Sequence, residues 1–215
     1  MSGSFVSPDL RARVRGLMTP IAVGLGRLGL TPNGLTLIGF GIAIIAAGLA
    51  AAQLWLPAGL LCVFGGVFDL FDGALARATG KAGPLGAFMD SVFDRWGEGV
   101  IYVGIALGCV NEAFPAGAVW SGAALMSAFM VSYARAVSER EGFTPGKGMA
   151  NVGLAPREVR IVILTVGLIV TGILGGTTGQ NALAFTLGLI TVLGSITVLQ
   201  RVTHVLRQPA PEENQ

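Results

Sequence analysis

The sequence predicts an all-α integral membrane protein, a bundle of six transmembrane helices preceded by an amphipathic helix at the membrane surface. Three observations carry this. Of the 215 residues, 53% are hydrophobic and 12% charged, with a mean hydropathy of +0.72, which excludes a disordered chain and argues against an ordinary water-soluble domain. Six stretches have the roughly 20 apolar residues needed to cross a bilayer. All 14 Lys and Arg fall before the first stretch, in every second connection, in the tail, or in helix ends leading there.

Residues 1–33 form the lead-in. Ser7-Pro8-Asp9 has the form of a helix start, a capping Ser followed by Pro at the first helical position. Leu10, Val14, Leu17, Met18, Ile21, Leu25 and Leu28 then recur at helical spacing while Arg11 and Arg15 share another face, the pattern of a helix lying along a membrane surface. The expected spans occupy residues 34–53, 57–78, 84–109, 114–140, 157–175 and 180–203, within a membrane domain covering 34–207. The breaks between them carry helix punctuation: Pro57, Gly80 to Pro84, Asn111 to Pro115, the loop from Gly142 to Pro156, and Gly175 to Gln180. The loop beginning at Gly142 is expected to be a flexible connection over the site. Residues 208–215 read as a disordered polar tail.

The three turns opposite the basic connections hold no Lys or Arg, and Glu112 is their one charge. The positive-inside rule then puts both termini in the cytosol, in a multi-pass protein of the cell (inner) membrane. No short apolar region with a small-residue cleavage site precedes residue 34, so a cleaved leader is not expected. Cys62 and Cys109 lie in apolar runs without metal-clip spacing and read as packing residues. Thirty-three glycines suit helices that approach closely in lipid.

Four carboxylates stand inside expected spans. Each costs about 2.5–3.5 kcal/mol at mid-membrane on insertion scales, so something must neutralise them. Asp69 and Asp72 are i,i+3, and Asp90 and Asp94 are i,i+4, so each pair shares a helix face. Reflected about the turn at Lys81, Asp72 falls beside Asp90 and Asp69 beside Asp94. An antiparallel hairpin would gather all four at one depth, roughly 12–15 Å from the turn. Such an all-oxygen set favours Mg²⁺, Mn²⁺ or Ca²⁺ over zinc. Structural ion pairs with arginines are the alternative. Ala76 and Gly86 mirror each other and Gly73 follows Asp72; these small residues leave room for a ligand or allow tight helix packing.

Asp69-x2-Asp72-Gly73-x2-Ala76-Arg77-x8-Gly86-x3-Asp90-x3-Asp94 resembles the complete signature of the CDP-alcohol phosphatidyltransferases. That resemblance implies a six-span fold with a cytosolic N-terminal helix, and an enzyme of phospholipid synthesis. Its donor is a CDP-linked lipid, from which an acceptor hydroxyl displaces CMP. It also implies that Asp69, Asp72, Asp90 and Asp94 hold Mg²⁺ or Mn²⁺, with Asp94 a candidate general base. Gly73, Ala76, Arg77 and Gly86 would hold the cytidine diphosphate, together with Asn33 and Thr36 from the segment Thr31-Pro32-Asn33-x2-Thr36.

Arg135, Arg157, Arg160 and Arg201 approach the same face from the last three spans. If they converge they favour an anionic acceptor, since guanidinium pairs well with phosphate; anchoring at helix ends is the other reading. Their pattern is similar to that of family members using inositol phosphate. Those members commonly have Lys at the place of Arg135, a second Arg at that of Val137, and Arg-Pro-Glu-Arg where Arg157-Glu158-Val159-Arg160 stands. A phosphorylated polyol is therefore the expected acceptor, with glycerol 3-phosphate the nearest competitor. No nucleic-acid partner is expected. Gly104-x3-Gly108, Gly172-x3-Gly176 and the family resemblance suggest a homodimer. A divalent-cation transporter is the rival from another class, and it leaves Gly73, Ala76, Arg77 and Gly86 unexplained.

Overall fold

Prolines and glycines set the helix boundaries. The computed structural model describes residues 8–143, 149 and 152–208, with side chains from Met18 onward. Among the described residues there are seven helices and no strand: α1 Pro8–Arg27, α2 Pro32–Ala51, α3 Trp55–Ala78, α4 Pro84–Asn111, α5 Pro115–Arg140, α6 Arg157–Leu174 and α7 Gly176–Leu206. Helix α2 starts two residues before its expected span because Thr31 caps it, accepting from the Gly34 N–H at 3.1 Å, and Pro32 fills the first position. The break before α3 lies at Gln53 (φ 63°) and not at Pro57. Pro57 sits in the first turn, where no N–H partner is missed. Gly175 and Gly176, at φ 62° and 50°, make the turn that starts α7 earlier than expected.

Among the described residues four helices, α2, α3, α5 and α7, are long and apolar enough to cross a membrane. The two expected spans that fall short by this measure are those in which charges crowd every membrane-length window. Helix α4 carries Asp90, Asp94, Arg95 and Glu98, and the 18-residue α6 carries Arg157, Glu158 and Arg160.

Helix α2 packs on α3 and α4, α5 on α4 and α7, and α6 on α3 and α7. Their shared core includes Ala46, Trp55, Tyr102, Ile105, Leu164, Leu168, Leu183 and Leu187, while Phe64, Val119 and Phe185 face outward, as lipid contact requires. Cys62 and Cys109 are buried and free, in keeping with packing roles. Three of the four glycines in the two pairs serve contacts inside the chain. A Cβ on Gly104 would overlap the Ala47 carbonyl and one on Gly108 the Ala50 carbonyl, so these glycines let α4 cross the α2 backbone. Gly172 meets the Leu56 backbone in the same way, and Gly176 belongs to a turn. Gly104, Gly108 and Gly172 are thus committed to packing within the chain.

Helix α1 rests on α3. Met18, Ala22 and Leu25 join Leu35, Phe71, Ala74 and Leu75 in a second core, and Gly26 admits the Leu75 side chain. Ile21 and Leu28 point outward, so the expected single apolar stripe is divided between protein and surroundings. Ser7, and the side chains of Leu10, Arg11, Val14, Arg15 and Leu17, lie outside the described residues, as do 1–6 and the tail from 209 onward.

The end of the 142–156 connection is tied down, while residues 144–148 and 150–151 of the loop expected to be flexible lie outside the described residues. The Ala155 N–H donates to Thr197 Oγ1 (2.9 Å), Arg201 Nε to the Val152 carbonyl (3.0 Å), and Arg160 Nη1 to the Ala155 carbonyl (3.0 Å). Gly153, at φ 122°, lies so close to Thr197 that no side chain would fit.

Candidate functional site

The four aspartates occupy the end of α3 and the beginning of α4, on either side of the turn at Lys81. Asp72 is buried and fixed. It accepts from Thr36 Oγ1 at 2.8 Å, which ties α2 to α3, and from the N–H of Gly73. Asp69 and Asp94 meet through one guanidinium nitrogen, Arg157 Nη1, which lies 3.0 Å from Asp69 Oδ2 and 2.9 Å from Asp94 Oδ2. Asp90 is half-buried and has no hydrogen-bond or ion-pair partner among the described residues. The carboxylates lie close enough to repel: Asp72 and Asp94 each feel Asp69 and Asp90. The pairing of Asp69 with Asp94 follows the expected reflection.

The hairpin itself is splayed. Helices α3 and α4 make almost no direct contact, and α2 packs on both. The gap between them is a cavity of about 410 Å³. Its walls include Asn33 and Thr36 from α2, Asp72, Gly73, Ala76 and Arg77 from α3, and Gly86 and Asp90 from α4, with Lys81 in the turn. The small residues thus line open space and do not bring α3 and α4 into contact. At Gly73 the Arg77 guanidinium lies alongside, its Nη1 3.3 Å from where a Cβ would stand, so glycine lets that cation lie along the cavity wall.

The four arginines do not form one cluster of free cations. Arg157 is among the acids. Arg160 is fully buried and forms a two-pronged pair with Glu98, Nε to Oε1 at 3.0 Å and Nη2 to Oε2 at 2.9 Å. Arg201 donates to the Val131 and Val152 carbonyls. Exposed Arg135 pairs with Glu139 at 2.9 Å in a groove between α4 and α5 that also holds Arg95, Ser132 and Tyr133. Glu98 was missed in the sequence. Its signal was its spacing, since Asp90, Asp94 and Glu98 repeat every four residues down one face of α4.

The donor set suits a hard divalent cation. It consists of four carboxylates beside a hydroxyl, one carboxylate unpartnered and two sharing a positive group. As they stand, no three acidic, His or Cys side chains among the described residues converge closely enough to grip an ion. The Arg157 guanidinium lies between two of the candidate ligands.

Comparison with known sequences gives the class: residues 29–198 match the CDP-alcohol phosphatidyltransferase family, to which the chain belongs. It is 36% identical over 195 residues to an archaetidylinositol phosphate synthase of Pyrococcus horikoshii, covering 90% of this chain and 93% of that one. It is 34% identical over 206 residues to a phosphatidylinositol phosphate synthase of Cutibacterium acnes, covering 92% and 96%. Crystal structures of the Mycobacterium tuberculosis phosphatidylinositol phosphate synthase superpose closely. The form with CDP-DAG bound gives a TM-score of 0.80 at 26% identity, covering 92% of this chain and 98% of that one. The form in complex with manganese and citrate gives 0.78 at 26% identity, covering 92% and 93%.

Proposed function

We propose that this enzyme moves a phosphatidyl-type group from a CDP-linked lipid to a phosphorylated polyol of the inositol phosphate type, releasing CMP. The observation that carries this is the cavity between α3 and α4, which sets the six nucleotide-binding candidates beside Asp72 and Asp90. Arg77 donates its fork of N–H groups to the diphosphate, and Asn33 and Thr36 border the nucleotide. Gly73, Ala76 and Gly86 leave the space that the diphosphate fills. Asp69, Asp72, Asp90 and Asp94 hold Mg²⁺ or Mn²⁺, which neutralises charge developing on the phosphate oxygens.

Asp94 acts as general base. It takes the proton of the acceptor hydroxyl as that oxygen bonds to the lipid-side phosphorus, while the pyrophosphate P–O bond breaks and the electron pair leaves with CMP. Arg135 and Arg157 receive the acceptor phosphate. Arg160 and Arg201, held by Glu98 and backbone carbonyls, shape the wall behind them. Helices α4 and α6 complete six spans within a domain of residues 34–207, their charges turned into the site and away from lipid. The basic ends face the cytosol, α1 lies along that surface, and the enzyme works as a homodimer. The reading rests on the relatives' names for its acceptor and on the motif for its donor. The test is CMP release from CDP-diacylglycerol with Mn²⁺ or Mg²⁺ across inositol phosphate, glycerol 3-phosphate, serine and free inositol. Inositol phosphate should give the fastest release, and a faster reaction with glycerol 3-phosphate would reassign the acceptor.

A further inference from the structure

We infer that Arg157 and a divalent cation compete for Asp69 and Asp94, so that a seated cation displaces the guanidinium, which then serves the acceptor phosphate. This rests on the proposed metal role of the aspartates. A single nitrogen, Nη1, bridges the two Oδ2 atoms at 3.0 and 2.9 Å, so the arginine stands between two candidate ligands. The pose leaves Arg157 incompletely satisfied, because its Nε is buried without an acceptor. The nearest other cation, Arg95, reaches Asp94 only at 3.7 Å and leaves its own Nη1 without a hydrogen bond.

Charge favours the exchange. The arginine brings one positive charge to a pair of carboxylates that a divalent ion matches with two. Geometry favours it as well. Arg157 is the first residue of α6, and one turn later Arg160 is locked to Glu98, so the backbone stays fixed while the long side chain swings. Metal loading would then bring a cation to the acceptor side at the moment the acidic pair gains its ion. The order of events follows: the acceptor site is completed only once the ion is seated.

The experiment measures Mn²⁺ binding to the purified full-length protein without substrates, by electron paramagnetic resonance, for the native chain, Arg157→Ala and Arg157→Lys, with unfolding temperatures taken in EDTA. Arg157→Ala should bind Mn²⁺ about tenfold more tightly, the size expected from losing charge-assisted hydrogen bonds on the ion-free side. It should unfold at a lower temperature in EDTA and regain the difference when saturated with Mn²⁺. Arg157→Lys should fall between. Arg157→Gln, which keeps a donor without charge, replaces the alanine variant if that fails to fold. Equal or weaker Mn²⁺ binding by the uncharged variant overturns the displacement alone. A native chain that binds no Mn²⁺ overturns the metal role, and this inference with it.

Discussion

Removing the charge of Glu98 should expose how much the bundle depends on one buried pair. Arg160 and Glu98 are 0% and 1% exposed, joined by two hydrogen bonds, with a third from Arg160 to the Ala155 carbonyl. Glu98→Gln leaves a guanidinium of full charge facing a neutral amide, with no water to solvate it. Breaking such a pair by altering one partner costs about 3–5 kcal/mol, a large part of the roughly 5–15 kcal/mol that holds a domain together. For a chain of this size that corresponds to a fall of about 6–20 °C in unfolding temperature, measured in detergent by thiol-reactive dye at Cys62 and Cys109, which are buried until unfolding. Replacing both partners with apolar residues, Glu98→Leu with Arg160→Met, should recover most of the loss. A single variant as stable as the native chain would refute the reasoning, because the pair would then be contributing no net stabilisation.

Two further outcomes test the site and the packing. Asp94→Asn should lower the transfer rate by about 10²–10⁴-fold while CDP-diacylglycerol still binds, measured by CMP release and by isothermal titration; a variant of unchanged rate removes Asp94 from proton transfer. Gly104→Val should collapse the yield of folded protein, since its side chain would overlap the Ala47 carbonyl where α4 crosses α2. A variant recovered folded but monomeric, by size-exclusion chromatography with light scattering, would show instead that this glycine faces a second copy.

The helices were legible because their limits are local chemistry. Thr31-Pro32, Gly83-Pro84 and Phe114-Pro115 mark starts that any chain would respect. The aspartate register was legible too, because helical spacing reflected about one turn places Asp69 opposite Asp94. What escaped was the choice among partners. Nothing local says that Arg157 bridges two acids while Arg160, three residues on, pairs with Glu98 62 positions away. Nor does spacing say that α2 would separate α3 from α4 and turn an expected tight hairpin into a cavity. The glycine pairs meet a related limit: a small-residue stripe permits close approach without naming the helix that approaches.

The parting of α3 and α4 also bears on what such an enzyme can discriminate. Its polar groups crowd into the space that a headgroup would fill, while Leu85 and Phe88, beside Gly86 and Ala87, turn bare hydrocarbon outward. The tails of a CDP-linked lipid seated as proposed would meet a surface much like their own surroundings. The names of the relatives from Pyrococcus and Cutibacterium share their inositol phosphate half and differ only in the lipid half. On the proposed reading, selectivity would lie in the grammar of the head, with the tail left unread.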